Sequence, residues 1–231
     1  TPGVYMEEIN AFPGSVVAVP GSVVAFIGYT EKAMHNGKPV FGQAIRISSL
    51  AEYEAIFGMG PGAVLQFSIQ AAVAGAVPLP LKPLVTVGQK QVVVERQSGA
   101  FLLYHSIRLF FLNGGGSCYI ISVGDYHQTP ALQELSSGLA VLEKESEPAI
   151  LVIPDAVALP AADHATLVQQ SLAHCAATQK RVAILDVHDG AVADPLQVEA
   201  AITGFRNGTG TVGLSYGAAY FPWLVTGIVA R

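Results

Sequence analysis

FLLYHSIRLFFLNGGGSCYIISVG, spanning Phe101–Gly124, is the stretch whose reading decides the fold class. Apart from His105, Ser106 and Arg108, residues 101–112 are apolar around the whole circumference, which predicts a helix buried on most sides. Asn113 and Gly114–Gly116 supply the left-handed or otherwise strained backbone that ends a helix and turns the chain. Cys118–Val123 then reads as a strand. Loops that cradle phosphate place their glycines between a strand and the helix that follows it, and here the order is reversed, which argues against nucleotide binding.

Downstream the alternation continues. The pattern predicts helix 131–146, strand 149–153, a helix over about 161–179, strand 182–187, helix 194–205 and a strand over about 211–221. Strands and helices in turn imply βαβ units, hence an α/β fold with a mainly parallel sheet and flanking helices on both faces. The uninterrupted apolar runs Ala149–Ile153 and Val182–Leu185 fit strands covered on both sides.

Upstream, Ser22–Thr30 reads as a buried strand and Ile45–Ile47 alternates. Ser48 or Ser49 is placed to cap a short helix through Phe57, with Glu52 near its favourable N-terminal end. Residues 61–100 differ in character, with Pro78, Pro80 and Pro83 and a hairpin of Leu84–Val87 and Gln91–Glu95 about a Gly88-Gln89-Lys90 turn. They read as an inserted small β-rich subdomain. The first twenty residues, punctuated by Pro2, Gly3, Pro13, Gly14 and Pro20, read as an extended N-terminal arm. The expected organisation is an arm over 1–20, a first part of the core over 21–60, the insertion over 61–100 and the main α/β domain over 101–231.

Composition narrows the function classes. Of 231 residues only 13% are charged and 51% are hydrophobic, with a mean hydropathy of +0.46. Soluble domains carry about 25% charge, so burial in an assembly is the simplest cover for this surface. No apolar run reaches the length of a spanning helix, so direct membrane insertion is not expected. A net charge of −5 without a Lys/Arg cluster argues against nucleic-acid binding. Cys118 and Cys175 lie far apart in apolar contexts and read as buried thiols rather than a disulfide or zinc set. TPGVYMEEIN has neither the basic nor the apolar region of a secretory signal.

Sites of chemistry are few. Gly213-Leu-Ser215-Tyr-Gly217 matches G-x-S-x-G, but no His follows and Pro222 opposes the required helix, so Ser215 reads as part of a strand of small residues. Asp186-Val-His188-Asp189, at the end of an apolar strand, is the best candidate for polar chemistry, with Asp186 and His188 spaced as a possible metal pair lacking a third ligand. His164 and His174 read as surface or cap residues, and His105 as a hydrogen-bonded core histidine. No catalytic residue, metal or cofactor is expected.

Several segments together resemble contractile tail sheath proteins, closest to those of phage-tail-like extracellular contractile injection systems. They are TPGVYMEEI (Thr1–Ile9), VVAFIGYTEKA (Val23–Ala33), ISSLAEYEAIFG (Ile47–Gly58), the Phe101–Gly124 stretch, LVIPDA (Leu151–Ala156), RVAILDV (Arg181–Val187) and SYGAAYFPWL (Ser215–Leu224). The resemblance implies a structural polymer without catalysis. Its subunits stack with six-fold symmetry around an inner tube, meet baseplate and cap proteins, and contract to drive the tube through a target envelope. It implies assembly in the bacterial cytoplasm, into a phage tail or a released particle. It also implies that Thr1, Pro2, Gly3, Val4, Tyr5, Met6, Glu7, Glu8 and Ile9 form an inter-subunit arm that adds a strand to a neighbour's sheet. Family members continue past the Tyr220–Trp223 region into an inner domain and C-terminal arm that the sequence to Arg231 does not include, so tube contacts are assigned to no residue. Two other readings stay open: an α/β enzyme or ligand-binding protein with a strand-end site near Asp186 and His188, and a non-contractile tail or capsid protein.

Overall fold

A computed structural model describes residues 22–62, 64–71, 85–87, 90–97, 101–191, 195–224 and 226. The arm expected over Thr1–Ile9 lies outside them. The described chain is α/β, built on a six-stranded, mostly parallel sheet.

Strand β1 (Val24–Thr30) is buried along its whole length, as its apolar run requires. A two-residue hairpin follows, β2 (Met34–His35) and β3 (Lys38–Pro39), turning through Asn36 and Gly37, both at positive φ. Asn-Gly between paired residues is the signature of this turn, and the sequence reading passed over it. β4 (Ala44–Ile47) leads into α1 (Leu50–Phe57). Ser49 caps α1 by accepting from the Glu52 N–H at 3.2 Å, while Glu52 Oε2 accepts from the Ser48 N–H at 2.8 Å.

The insertion contains a separate three-stranded antiparallel sheet, β5 (Val64–Ala71), β6 (Val85–Val87) and β7 (Lys90–Gln97), in the order β5-β7-β6. The expected hairpin is β6–β7, with Val85 opposite Val92 and Val87 opposite Lys90; Leu84 lies outside the described residues. β5 was missed, although Leu65, Phe67 and Ile69 alternate with Gln66, Ser68 and Gln70. Its register with β7 sets Val64 opposite Gln97, so this small sheet begins and ends at one pair of residues.

The chain then forms α2 (Leu103–Leu112), β8 (Cys118–Asp125), α3 (Leu132–Leu142), β9 (Ile150–Val152), α4 (Ala161–Thr178), β10 (Val182–Asp186), α5 (Pro195–Thr209) and β11 (Gly217–Tyr220). The strand order is β11-β10-β9-β1-β8-β4, all parallel except β4, which runs antiparallel to β8 at one edge. The joint after α2 is a Schellman turn. Gly115 N–H donates to Phe110 O at 2.9 Å and Gly114 N–H to Phe111 O at 3.1 Å, with Gly114 at φ +82°.

Alternation on β1 divides the core into two layers. Val24 and Phe26 pack with Tyr53, Phe57, Leu103 and Ile107 beneath α1 and α2. Ala25, Ile27 and Tyr29 pack with Leu135, Leu142 and Leu167 beneath α3 and α4.

The structure corrects three expectations. α2 buries Leu103, Tyr104 and Ile107 but leaves Leu109 and Leu112 exposed, so it is not buried on most sides despite its apolar circumference. β10 is not covered on both faces: Val182 and, on β11, Tyr220 are exposed, because α1 and α2 lie over β1 and β8. The last strand begins at Gly217 rather than near 211, since Leu214–Tyr216 forms a 3₁₀ turn after Gly213 at φ +70°.

Candidate functional site

The carboxyl ends of parallel strands converge on two clusters, which α/β folds use for ligands. The first is centred on Asp155, in the 3₁₀ turn Pro154–Ala158 directly after β9. Asp155 is fully buried. Its Oδ2 accepts from the Tyr29 N–H at 2.7 Å, and Oδ1 accepts from the N–H groups of Leu102 at 2.6 Å and Leu103 at 3.1 Å. Leu102 offers no side-chain oxygen to the start of α2, so Asp155 caps that helix from a distance. Gly28 leaves room for it, because a Cβ there would stand 2.5 Å from Oδ2. Burial pushes the Asp155 carboxyl up to about 6, and the three N–H donors hold it from rising further.

The second cluster lies past the end of β10. Its parts are His164 near the start of α4, Asp186, His188, Asp189 and one face of α5 from Gln197 to Thr209. His164 and His188 stack with ring centroids 5.3 Å apart. His188 Nε2 donates to Leu159 O at 2.9 Å, and its Nδ1 lies 3.1 Å from Asp189 Oδ2. His164 is buried, not a surface residue as the sequence suggested, and it bonds the Asp186 backbone carbonyl. Burial, with the neighbouring His188 second, lowers its pKa to about 4. Partial desolvation at the strand end raises the Asp186 carboxyl, although the residue as a whole is exposed. Between α4 and α5 the cluster opens on a mostly apolar cavity of about 560 Å³. Trp223 pins the turn from outside, its Nε1–H donating to Val187 O at 2.9 Å.

Among the described residues no group of three or more His, Cys, Asp and Glu is arranged to hold a metal ion. Asp186 and His188 therefore do not meet a third ligand there, and His188 is already held by Leu159 and Asp189. No family model and no curated protein sequence matches this chain. No helix among the described residues is long and apolar enough to cross a membrane.

The other singled-out residues take structural places. Ser215 sits in the 3₁₀ turn before β11, so it precedes a strand instead of following one, and it is not itself in a strand. Cys118 and Cys175 are buried thiols, raised by burial to about 12 and about 11. His105 is half-buried, its ring 5.7 Å from that of Tyr104. His174 is half-buried and meets the guanidinium of Arg181, whose Nη1 lies 3.0 Å from His174 Nε2. Arg181 is buried and donates to Leu142 O at 2.9 Å and to Glu145 O, closing the end of α3. Sequence reasoning passed over Asp155, Arg181 and the burial of His164. One signal was available: α2 starts at residues without any capping side chain, so its cap had to come from elsewhere.

Proposed function

We propose that the chain is a structural subunit of a contractile sheath, a polymer that surrounds an inner tube and shortens to drive it through a target envelope. One observation carries this reading: the resemblance of seven segments, in order, to sheath sequence. Three of these segments, Val23–Ala33, Phe101–Gly124 and Leu151–Ala156, meet at one carboxylate: Tyr29 N–H, Leu102 N–H and Leu103 N–H all donate to Asp155. Their convergence supports a role in one rigid body that an assembly can move as a unit. The low charge content supports burial in an assembly. On this reading the partners are further copies of the chain, an inner tube, and baseplate and cap proteins. The particle is a phage tail or a released extracellular device, and the subunit is not an enzyme.

Electron microscopy of the purified native protein tests it. Striated cylinders in two lengths are expected; plain tubes of one length, or shells, would favour a non-contractile tail or capsid role. Deleting Thr1–Ile9 is expected to leave a folded subunit that forms no stable cylinder, because arm strands link neighbours in the family. Ser215→Ala is expected to leave assembly intact. The cavity beside His164 and His188 favours one rival, a ligand-binding or enzymatic α/β protein. A small monodisperse species whose stability rises on adding a small molecule would establish that rival instead.

A further inference from the structure

Helix α5 meets α4 directly, with Gln169 Nε2 donating to Gly208 O at 2.7 Å. Beside that contact an open cleft of about 560 Å³ runs between the helices, with the exposed Ala161, Ala200 and Gly204 among its walls. A second open groove, of about 360 Å³, lies beside α5 among Phe205, Leu172, Leu185 and the exposed Leu214. Short side chains along an open, water-filled cleft make few packing contacts, which places α5 toward the low-stability end of the fold.

The stacked histidines close one end of this seam and join four pieces of chain. His164 comes from α4, and His188 from the turn between β10 and α5. Leu159, which holds His188 Nε2–H, comes from the segment before α4. Phe205 comes from α5, its ring centroid 6.2 Å from that of His164.

His188 Nδ1 faces Asp189 Oδ2 at 3.1 Å, and Asp189 is exposed. A proton on His164 finds no such partner. Facing it from the turn are His188 and, behind it, Asp189; from the end of β10, Asp186, through its backbone carbonyl; from α5, Phe205 and the uncharged Gln197. Asp163 on α4 and Glu199 on α5 do not line the cavity. An imidazolium at His164 is therefore both desolvated and set against a second ring, and opening the seam relieves both costs.

We propose that the α4–α5 seam is an acid latch: a proton on His164 expels that ring from its seat and frees α5 and the 187–191 turn, leaving β1, β8, β9, α2 and α3 in place. Burial holding His164 near 4 agrees with this. Release then grows as pH falls from about 6.5, where a free histidine titrates, toward 4. The two-state element is α5, and the proton is the ligand that biases it.

Hydrogen exchange on the full chain at pH 7, 5.5 and 4.5, corrected for intrinsic rates, reads the latch. Protection of α5 amides is expected to fall at least about tenfold relative to α2 amides between pH 7 and 4.5. His164→Phe keeps a ring against His188 and Phe205 but binds no proton, and it is expected to abolish that loss. Unchanged α5 protection, a parallel fall in α2, or persistence of the loss in His164→Phe would overturn the proposal. Should His164→Phe fail to fold, the His164 ring-proton titration in the unmodified protein decides. A midpoint below 6 shared by the α5 amide shifts supports the latch, and a midpoint at or above 6, or an unshared one, sinks it.

Discussion

Replacing Asp155 with alanine removes the acceptor for three backbone donors, Tyr29 N–H, Leu102 N–H and Leu103 N–H, around a fully buried side chain. Each orphaned buried donor costs about 1–3 kcal/mol, and water entering the vacated space recovers part of that, so a loss of about 3–5 kcal/mol is expected. Against a typical total of about 5–15 kcal/mol this is severe. Asp155→Asn keeps an acceptor for Leu102 and Leu103, turns an NH₂ toward Tyr29 N–H and removes a buried charge; it is expected to lose less. The pH dependence separates the two effects. The folded carboxyl, at about 6, holds its proton more tightly than the unfolded one, at 3.8. Stability from this group is therefore fully present below about 4 and is lost as pH rises toward 6, by roughly 3 kcal/mol at 1.36 kcal/mol per unit. Urea titrations followed by circular dichroism and by Trp223 fluorescence at pH 7, 5.5 and 4 measure both. A loss below about 1 kcal/mol in Asp155→Ala, or a slope between pH 4 and 6 unchanged in Asp155→Asn, would refute the assignment of Asp155 as the buried cap.

Arg181→Ala strips the end of α3 of donors to Leu142 O and Glu145 O and is expected to cost about 2–4 kcal/mol by urea denaturation. Burial first, and the Arg181 cation second, hold His174 below its ordinary value, so the same variant should move the His174 titration upward by NMR. Gly138→Ala gains helix propensity but drives a Cβ to 2.4 Å from Ile27 Cγ2, and overpacking is expected to win, with a net loss of about 1 kcal/mol in thermal or urea unfolding. Gly114→Ala meets nothing within 4 Å and pays only for φ +82°, about 1 kcal/mol, with the fold retained by circular dichroism.

The sheet was legible because its strands are short apolar runs between turn residues, and the Schellman joint because glycines follow an apolar helix pattern. Both are local signals. What the sequence hid is set by distant partners. The full burial of Asp155 depends on donors 126 and 53 positions away, at Tyr29 and Leu102. His164 reads as a polar residue beside Asp163 on a helix, and only the return of the chain at His188 and Phe205 encloses it. The apolar circumference of α2 misled in the opposite direction, since Leu109 and Leu112 face outward. Periodicity cannot tell an apolar surface awaiting cover from a core. The Asp186–His188 pair was placed correctly at a strand end, but its chemistry turned on the Leu159 carbonyl, which no spacing rule anticipates.

The pairing of Val64 with Gln97 has a consequence for how such a chain can change. Residues opposite one another on antiparallel strands are only about 5 Å apart, so the small sheet is attached at a narrow neck. On the core side the path is held independently: Tyr126 Oη donates to Met59 O at 3.1 Å, and Asp155 fixes the chain where it re-enters at Leu102. Neither of these two bonds involves a residue between 64 and 97. The segment is an exchangeable cassette, and excising 64–97 for a short flexible linker should leave the six-stranded sheet folded and as stable as before.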